Sequence, residues 1–553
     1  MKRSGKLRRG LAQAALAALA GACTPAAPAG HPEAGSTAVA PVPVPDAPWR
    51  TPASEAAGQE PATDSPPVLI RGAKLYLGDG TVLARGHVLL EGGKIRAVGA
   101  GDGVAPAGAR VVDAAGKFVT PGLIDVHSHI GVYPHPFVKA HEDGNEAVEP
   151  VTAGVRALDG FWPQDPSIER AVAGGVTTMQ VLPGSANLIG GRTVTLKLRR
   201  ASTGRAMHFA GAPDGLKMAC GENPKRVYGD KGRAPQTRMG NVAGQRAAFL
   251  SARRLIDEWD SWRTNEAHRR AKAARELERY RGEQRERDAA ERACREGDDD
   301  ACAAIRGKKP PEAPEPSEPA LPPRRDLQQE TLAGVLEGKI LLHVHCYRAD
   351  DMADVLALAD EVGAPVRAFH HALEAYKIRG ELARRGVAVA TWADWWGFKM
   401  EALDGIPENL ALVEAAAGRA VVHSDSEEGI RRLNQEASKG LASGRRAGLA
   451  LTEEGAMRWI TQNPAWVLGV EDRVGTLAVG KDADVVVWDA DPFSVYARAA
   501  LVFIDGLERY DAAHPGAPWS DFEAGADEPP LEKAEPSPPA LPAPKGTEED
   551  QQP

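Results

Sequence analysis

The chain has few cysteines, no excess of positive charge and no long apolar run after its N-terminal leader, and each shortage excludes a class of protein. Five cysteines in 553 residues are too few for a scaffold stapled by disulfides. A formal net charge of −9 provides no basic surface for nucleic acid. After the N-terminal leader, no run of about 18 apolar residues occurs, so we predict no transmembrane helix in the mature chain. The remaining class is a large globular protein that buries an extensive core.

The first residues have the pattern of an export signal. Lysines and arginines precede an apolar run from Leu11 to Ala22, which is too short to span a bilayer. The run ends in "LAGAC", which resembles a bacterial lipobox with Cys23 as the lipidated residue, although Ala20 stands where leucine is usual. We therefore predict a signal peptide over residues 1–22 and a lipoprotein on the periplasmic side of the bacterial cell envelope, with plain secretion as the alternative.

Two segments have a composition that does not favour folding. Residues 23–66 are mostly Ala, Pro, Gly, Ser and Thr, and residues 523–553 have a similar character. Such segments bury too little apolar surface to offset the entropy of ordering the chain. We predict a disordered tether and a disordered tail.

Short strand patterns occur near both ends of the remaining chain. "VLIRGAKLYL" and "HVLLEGGKIRAVG" lie early, and "VGTLAVGKDADVVVWDADP" lies late. Neither group has enough strands for a stable sheet by itself. We predict that residues 67–120 and 466–510 combine in one small β-sandwich domain.

Between these segments, apolar β-like runs alternate with helical patterns. Nearly continuous apolar runs separated by amphipathic helices indicate parallel strands covered on both faces. Polar residues gather at the carboxyl ends of the runs, which form the catalytic face of an α/β barrel. The predicted fold class is α/β, with a (β/α)8 TIM-like barrel over residues 121–465 and a doubly wound sheet as the alternative.

One charged segment, residues 232–325, does not fit the barrel pattern. It begins with a helical periodicity that includes Phe249 and Trp259, and it ends in a proline-rich stretch. Without it, about 250 residues of the barrel segment remain, a typical barrel length. We predict a solvated helical insertion with a flexible return, and a dedicated partner site is the alternative. Cys294 and Cys302 within it either form a local disulfide or stay free.

Histidines cluster at the ends of the predicted barrel strands. His127 and His129 end the first run, and His343 and His345 end another. Residues i and i+2 of a strand face the same side, so each pair points inward together. The other strand-end candidates are His370, His371, His423 and Asp425. Because buried imidazoles are costly unless paired or coordinated, and because imidazole and carboxylate groups bind Zn²⁺, the pattern predicts a shared metal centre.

These motifs resemble the amidohydrolase superfamily, in particular its imidazolonepropionase-like branch, which includes metal-dependent dipeptidases and prolidases. The resemblance covers roughly residues 68–506, apart from the charged segment. It rests on "PGLIDVHSH", "GGVTT", "LKMACGENPKRVYG", "HVHCYRADD", "FHHALEAYKI", "SDS" and "GTLAVGKDADVVVWD". Together the motifs are specific for the superfamily and weak for the substrate.

The resemblance implies that strand ends hold one or two divalent ions, with Zn²⁺ as the expected metal. The matching positions are His127 and His129 on the first strand, His343 on the fifth, His371 on the sixth and Asp425 on the eighth. The neighbours His345 and His370 could serve as ligands instead, and otherwise face the substrate or pack.

Members with two metals also need a bridging group on the fourth strand, commonly a carboxylated lysine. We choose Lys217, because a lysine at the end of an apolar run is hard to bury otherwise. Glu222 and Lys197 are its rivals. A surface lysine whose stem lies along the protein is the alternative interpretation of Lys217.

The implied mechanism uses a metal-activated hydroxide. Asp425 is the expected proton shuttle, taking a proton from the attacking water and passing it to the departing nitrogen. Tyr347 and Arg348 in "CYRADD", and Arg226 and Tyr228 in "NPKRVYG", are candidates for holding a substrate carbonyl or carboxylate.

The predicted function is hydrolysis of C–N bonds in an amide, peptide-like or cyclic amide substrate. Expected partners are a small molecule or short peptide and, for assembly, further copies of the chain. Nucleic acid is excluded, and membrane contact runs only through the lipid anchor. The alternatives are a heterocycle deaminase or lactonase at the same site, or a non-catalytic envelope lipoprotein that serves as a binding or scaffold module.

Overall fold

The structure is a computed structural model that describes residues 44–50 and 66–515. The predicted signal peptide, the lipidation site Cys23, most of the predicted tether and the predicted tail lie outside these residues. Within the described parts of the chain, no helix combines the length and the apolar character needed to cross a bilayer.

Strands and helices alternate through the centre of the described chain. The strands are β1 (Val68–Tyr76), β2 (Val82–Glu91), β3 (Lys94–Ala100), β4 (Arg110–Asp113), β5 (Phe118–Pro121), β6 (Leu123–Ser128), β7 (Val176–Val181), β8 (Ile189–Arg192), β9 (Val194–Lys197), β10 (Gly215–Ala219), β11 (Leu341–Cys346), β12 (Val366–His371), β13 (Ala388–Thr391), β14 (Arg419–Val422), β15 (Val485–Trp488), β16 (Ala499–Ile504) and β17 (Leu507–Asp511). The helices are α1 (Ala157–Gly160), α2 (Ser167–Ala173), α3 (Gly204–Met207), α4 (Glu222–Gly229), α5 (Arg238–Arg295), α6 (Asp299–Ile305), α7 (Leu327–Leu336), α8 (Ala349–Val362), α9 (Ala375–Arg385), α10 (Asn409–Ala415), α11 (Leu433–Arg446), α12 (Glu453–Met457) and α13 (Gln462–Val467).

One sheet combines strands from both ends of the described chain. Its order is β17-β16-β15-β5-β1-β2-β3, with β4 paired to β1. The two ends meet where β15 pairs antiparallel with β5, from Val485 opposite Pro121 to Trp488 opposite Phe118. One face is apolar because alternate residues of a strand point to the same side. This face buries Ile70, Leu75, Val88, Val119, Val485, Val487 and Phe503.

The strands that carry the candidate site are mostly parallel. Five of them form the sheet β14-β13-β12-β11-β10, with β8 antiparallel at its edge, and β6-β7-β9 form a smaller sheet. Strands β6, β7 and β13 are buried along their whole length, including the polar side chains of β6 and β7. Among the described residues the ladders of these two sheets stay separate, so the structure shows an α/β architecture without a continuous closed ladder. The backbone N–H of Asp425 nevertheless donates to the carbonyl of His127 at 3.0 Å, which links the ends of β14 and β6.

The predicted insertion begins with the long helix α5. The first part of α5 buries an apolar stripe, comprising Phe249, Ala252, Leu255, Ile256 and Trp259. In the same part, Asn241 donates to the carbonyl of Gly221 and Gln245 to the carbonyl of Ala219, both at 2.8 Å. These bonds support the segment that directly follows β10.

Residues 274–312 form a compact unit of their own. Helix α6 lies in this unit and is capped by Asp298, whose carboxylate accepts from the backbone N–H groups of Asp300 and Ala301. A disulfide joins Cys294 to Cys302, with a Cα–Cα distance of 4.7 Å. The sequence left this pairing open, and the structure forms it.

A buried cation lies where β9 approaches the sheet built from both chain ends. Lys197 is fully buried and pairs with Asp482 at 2.7 Å, with Asp484 at 3.1 Å and with Asp505. Burial alone would lower the pKa of Lys197, but the three carboxylates raise it, so the ammonium group stays charged. Arg473 adds a second cation against Asp482 at 2.9 Å.

Replacing Lys197 with methionine should therefore destabilise the fold strongly. The substitution leaves buried carboxylates without their main partner, which typically costs about 3–5 kcal/mol of unfolding free energy. Urea denaturation of the variant and the wild type measures this difference. As a matched control, Arg85→Gln removes an exposed partner of Asp102 and should cost less than about 1 kcal/mol. Equal unfolding midpoints for the two variants would show that the buried network does not stabilise the fold.

Candidate metal centre

Two histidines at the end of β6 face the carboxylate that follows β14. Nε2 of His127 lies 3.4 Å and Nε2 of His129 lies 3.2 Å from Oδ1 of Asp425. The two Nε2 atoms are 3.3 Å apart. The prediction from i, i+2 spacing that both rings point to one side thus matches the geometry.

A buried carboxylate two residues before His127 fixes this arrangement. Oδ1 of Asp125 accepts from the backbone N–H groups of His127 and Ser424, both at 3.1 Å. The hydroxyl of Ser424 donates to Oδ2 of Asp125. Asp125 therefore ties the end of β6 to the turn that carries Asp425.

Lys217 on β10 reaches the same place. Its side chain is buried, and Nζ lies 3.2 Å from Nε2 of His127. Burial lowers the pKa of Lys217 to about 8, against the opposing effect of the Asp425 charge. The other two candidates for the bridging group have different partners, since Lys197 is held by three aspartates and Glu222 pairs with Lys399 at 3.4 Å.

Three imidazoles form a chain behind this group. Nδ1 of His127 lies 2.9 Å from Nδ1 of His370, and Nε2 of His370 lies 2.9 Å from Nδ1 of His343. Nε2 of His343 lies 3.4 Å from the side-chain nitrogen of Gln180. Burial lowers the pKa of His343 to about 3 and the pKa of His370 well below 6.5, so both rings are neutral. The predicted ligand His343 thus has a polar neighbour at each ring nitrogen.

His345 and His371 face each other at the mouth of the parallel strands. Their ring centroids are 4.4 Å apart, and Nδ1 of each ring is buried without a hydrogen-bond partner among the described residues. Nδ1 of His371 lies 3.8 Å from Oδ2 of Asp425. Burial lowers the pKa of both rings well below 6.5, which leaves their lone pairs available. His345, predicted as a substrate residue, therefore also has a ring nitrogen available for an ion, and of these two rings His371 is the one that shares a group of candidate ligand atoms among the described residues.

Two site residues adopt a backbone conformation that L-residues seldom use. His371 has φ +69° and Asp425 has φ +48°. Consecutive strand residues normally face opposite sides, yet the rings of His370 and His371 both lie 4.8 Å from the ring of His127. The left-handed backbone at His371 allows both rings to face His127. Such strain concentrates at functional sites, where the surrounding structure enforces it.

The geometry also brings in His423, which the sequence analysis noted without assigning it a role. Its Nε2 accepts from the backbone N–H of His371 at 3.2 Å, and its Nδ1 has no partner among the described residues. Two groups have candidate ligand atoms within 4.8 Å of one another: His127 with His371 and His423, and His127 with His129 and Asp425. These side chains form a group able to hold a divalent metal ion. The i, i+2 spacing of His423 and Asp425 is the signal that marks it.

A disulfide joins the two strands that carry Lys217 and His345. Cys220 follows β10 and Cys346 ends β11, and their Cα atoms are 5.3 Å apart. The sequence analysis did not predict this pair. A separation of 126 residues explains why spacing alone gives no indication of it.

The predicted substrate residues fall into different environments. Tyr347 stacks on His371, with centroids 5.1 Å apart, and so lies at the site. Arg348 pairs with Asp350 at the surface. Tyr228 is fully buried, and its hydroxyl donates to Oδ1 of Asn187 at 2.9 Å. The structure therefore brings Tyr347 to the site, whereas the hydroxyl of Tyr228 is engaged by Asn187 and by the carbonyl of Glu149.

A cavity of about 270 Å³ opens on His129. We call it the His129 cavity, and its polar lining comprises His129, Tyr133, Asn145, Ser185, Asn223 and Arg226. The glycine-rich stretch "PGSANLIGGR" supplies part of its wall. Close packing there requires glycine, because a Cβ at Gly184 would lie 2.3 Å from Nδ2 of Asn145.

Aromatic residues after β13 line the other side of the site. Trp392 stacks on His371, with centroids 4.7 Å apart, and contacts Trp395 at 5.3 Å. Lys399 lies 4.1 Å above the ring of Tyr347 and donates to Oδ1 of Asn223 at 3.0 Å. This segment therefore spans from β13 to the start of α4.

Comparisons with known proteins agree on the amidohydrolases. A family model described as amidohydrolase family matches residues 416–507. Amidohydrolase tasK of Hapsidospora irregularis is 32% identical over 481 residues, which are 80% of this chain and 43% of tasK. A dihydroorotase of Geobacter sulfurreducens is 37% identical over 108 residues, 20% of either protein. The chain thus spans less than half the length of these curated relatives.

A solved structure matches over its full length. The crystal structure of an amidohydrolase from Thermotoga maritima MSB8 has a TM-score of 0.64 and 32% sequence identity, and the match covers 80% of this chain and 100% of that one. Both the fold and the sequence are therefore similar over most of this chain.

Proposed function

The chain belongs to the amidohydrolase superfamily, and from this we propose that it is a metal-dependent hydrolase that cleaves C–N bonds of an amide, peptide-like or cyclic amide substrate. The observation that carries the proposal is the convergence of His127, His129, Lys217 and Asp425 on one point, with contacts of 3.2–3.4 Å. These residues come from β6, from β10 and from the segments that follow β6 and β14. The similarity to amidohydrolases over most of the chain supports the same reaction class.

The donor set fits Zn²⁺. Neutral imidazoles and a carboxylate are the ligands that this ion prefers. We assign the ligands His127, His129, Lys217, His371 and Asp425. We further propose His345 in place of His343, because His345 has an unpartnered ring nitrogen whereas His343 has polar neighbours on both.

The imidazole chain orients His127. With Nε2 of His127 directed at the centre, its proton lies on Nδ1 and is donated to Nδ1 of His370. His370 then donates from Nε2 to Nδ1 of His343. The side-chain nitrogen of Gln180 lies 3.4 Å from Nε2 of His343, and the Gln180 amide accepts the His343 proton when its oxygen takes that place. Metal-binding histidines are usually fixed by such bonds on the second nitrogen. His343 and His370 are therefore positioning residues.

When bound, a divalent ion polarises a substrate carbonyl and lowers the pKa of an adjacent water. Burial alone would raise the pKa of Asp425, but the hydrogen bond from His129 and nearby positive charge lower it. The carboxylate is therefore ionised at neutral pH and accepts the proton of the attacking water. The same carboxylate then protonates the leaving nitrogen.

We also propose that the parallel strands close into the eightfold barrel expected for this superfamily. The bonds of Asp125 and of the Asp425 backbone across the junction of β6 and β14 support closure. Export of the chain, with Cys23 lipidated, stays a proposal that rests on the leader sequence alone.

A panel of amides tests the function. It comprises N-acyl amino acids, dipeptides and cyclic amides, assayed before chelation, after chelation and after return of Zn²⁺. We expect cleavage of at least one amide class, lost on chelation and restored by the metal. Release of ammonia from amino-heterocycles, or lactone opening without amide cleavage, would instead identify the alternative reactions at this site.

The scaffold alternative has its own test. Removing residues 274–312 deletes the separate unit and keeps Asn241 and Gln245, which support the end of β10. An enzyme should keep its turnover after this deletion. Loss of a binding partner, with no turnover in either protein, would favour a scaffold.

A further inference from the structure

A disulfide closes the ends of the two strands that carry Lys217 and His345. Cys220 follows β10 directly, and Cys346 is the last residue of β11. Both cysteine side chains are buried. The backbone N–H of Cys220 also donates to the carbonyl of His345 at 2.9 Å. The disulfide thus adds a covalent link to the hydrogen bonds between β10 and β11, at the end where the candidate metal centre lies.

Cys346 is joined to the neighbouring strand as well. It lies opposite His371 in the register of β11 and β12. Its carbonyl accepts from the backbone N–H of Ala372 at 2.8 Å. A displacement of Cys346 would therefore also move the backbone that carries His371. The ends of β10, β11 and β12, each with a proposed metal ligand, are thus connected through this one disulfide.

On its other side, the disulfide fixes the turn that leads from β10 into α4. This turn brings Asn223 back to the site, where its side-chain nitrogen lies 3.5 Å from Nε2 of His345. Gly221 within the turn has φ +75°, and a Cβ there would lie 2.6 Å from Oε1 of Glu401. The turn is therefore closely packed, and Cys220 anchors the residue at which it begins.

These strand ends gather buried polar groups that favour local opening. Lys217, His345 and His371 are all buried, and Nδ1 of each of the two rings has no hydrogen-bond partner among the described residues. A buried polar group costs free energy until a partner satisfies it. Opening of the strand ends to water would relieve this cost before an ion binds. A covalent link between β10 and β11 opposes the opening and so keeps the ligands close to one another.

We infer that the disulfide between Cys220 and Cys346 positions the metal ligands, so that the oxidised protein binds the ion more tightly than the reduced protein. The inference rests on the proposed metal-dependent hydrolysis and adds a redox condition to it. When the bond forms, the two thiols release two protons and two electrons, and an external disulfide takes these up and becomes two thiols. The proposed export would bring the chain to a compartment that supplies such an oxidant. Because they act through the backbone that carries the ligands, both cysteines are positioning residues.

The test compares two pairs of substitutions, each of which removes one disulfide. Cys220→Ala with Cys346→Ala removes the link at the metal centre. Cys294→Ala with Cys302→Ala removes the disulfide within residues 274–312 and is the matched control. Calorimetry with Zn²⁺ measures metal affinity at a temperature where circular dichroism shows each protein to be folded. We expect the first pair to weaken the affinity about 10- to 100-fold, the scale for losing a group that orients a ligand, and the control pair to match the wild type.

Reduction of the control pair gives a second measurement without a substitution at the site. A phosphine reduces the bond between Cys220 and Cys346 and is removed in the absence of air before Zn²⁺ is added, and peptide mass mapping confirms that both thiols are free. We expect the same loss of affinity, and its recovery after reoxidation with glutathione disulfide. A bond that serves only global stability would lower the unfolding midpoint and leave the Zn²⁺ affinity of the folded protein unchanged.

The alanine pair at Cys220 and Cys346 decides the question if it folds, because it also removes the thiols as possible ligands. If it does not fold, the reduced protein decides. Unchanged affinity in the deciding protein, or an equal loss in the control pair, would overturn the inference. Loss of the fold in both proteins would overturn it too, since the bond would then support the whole fold.

The hydrolase proposal is judged separately, on the oxidised wild type. If that protein binds Zn²⁺ and cleaves an amide while its affinity ignores reduction, the inference alone is wrong. If the oxidised wild type binds no Zn²⁺, the proposed metal centre fails, and the inference fails with it.

Discussion

Replacing Asp425 with asparagine should lower turnover at least about 100-fold, the lower end of the range for losing acid–base assistance. Asparagine keeps an oxygen where Oδ1 of Asp425 lies, near His127 and His129, so the metal should remain bound. It cannot accept the proton of the attacking water. Steady-state kinetics and elemental analysis of the same preparation measure the two effects separately.

The lowered pKa of Asp425 also gives this prediction a pH dependence. A carboxylate whose pKa is lowered stays ionised through the neutral range and loses its basic form only in acid. The wild type should therefore lose activity from this cause only below about pH 4. As a matched control, Asp360→Asn changes an exposed carboxylate paired with Arg385 and should leave turnover intact. Unchanged turnover in Asp425→Asn would remove the proposed mechanism.

Replacing Lys217 with arginine should remove metal binding and activity together. Arginine keeps the positive charge but cannot carry a carboxylate group on a neutral amine. Loss of a residue that only supports a ligand already costs about 10- to 100-fold, so loss of a ligand should cost at least about 100-fold in activity. Lys217→Glu should retain more metal than Lys217→Arg, because it supplies a carboxylate directly.

The lowered pKa of Lys217 predicts how metal uptake depends on pH. A lysine with a pKa of about 8 releases its proton at lower pH than an ordinary lysine, whose pKa is 10.5. Carboxylation requires the neutral amine, so metal uptake in bicarbonate should rise as the pH increases towards about 8. Lys217→Glu should show no dependence on bicarbonate. Full metal content in Lys217→Arg would exclude Lys217 as a ligand.

Local spacing predicted part of this site correctly. His127 and His129 were expected to face one side, and the alternation of a strand produces that geometry. The same rule could not decide whether His343 or His345 is the metal ligand on β11, since residues i and i+2 face the same side at different depths. The register between β10 and β11 places Lys217 beside His343 and Ala219 beside His345, so it does not favour His345. The choice of His345 rests on hydrogen bonding, because His343 has polar neighbours at both ring nitrogens and Nδ1 of His345 has no partner among the described residues. These partners come from other strands and are not contained in the sequence of β11.

Long-range contacts account for the other differences between the predicted site and the observed one. The disulfide between Cys220 and Cys346 depends on the adjacency of β10 and β11. His370 and His371 share one side because of the left-handed backbone at His371, which composition does not reveal. Tyr133 was not singled out, because it follows the strand in a loop and reaches the site only through its packing against the ring of His129. Tyr228 was expected from its motif to hold the substrate. In the structure its buried hydroxyl donates to the carbonyl of Glu149 and to Oδ1 of Asn187.

The most direct test of the account is the metal content of the folded wild-type protein. Plasma mass spectrometry of carefully purified protein, with folding checked by circular dichroism, should find one or two Zn²⁺-like ions per chain, and His127→Ala should lose them. A folded wild-type protein that contains no divalent ion, and takes none up from solution, would contradict the proposed metal centre and the hydrolase that depends on it.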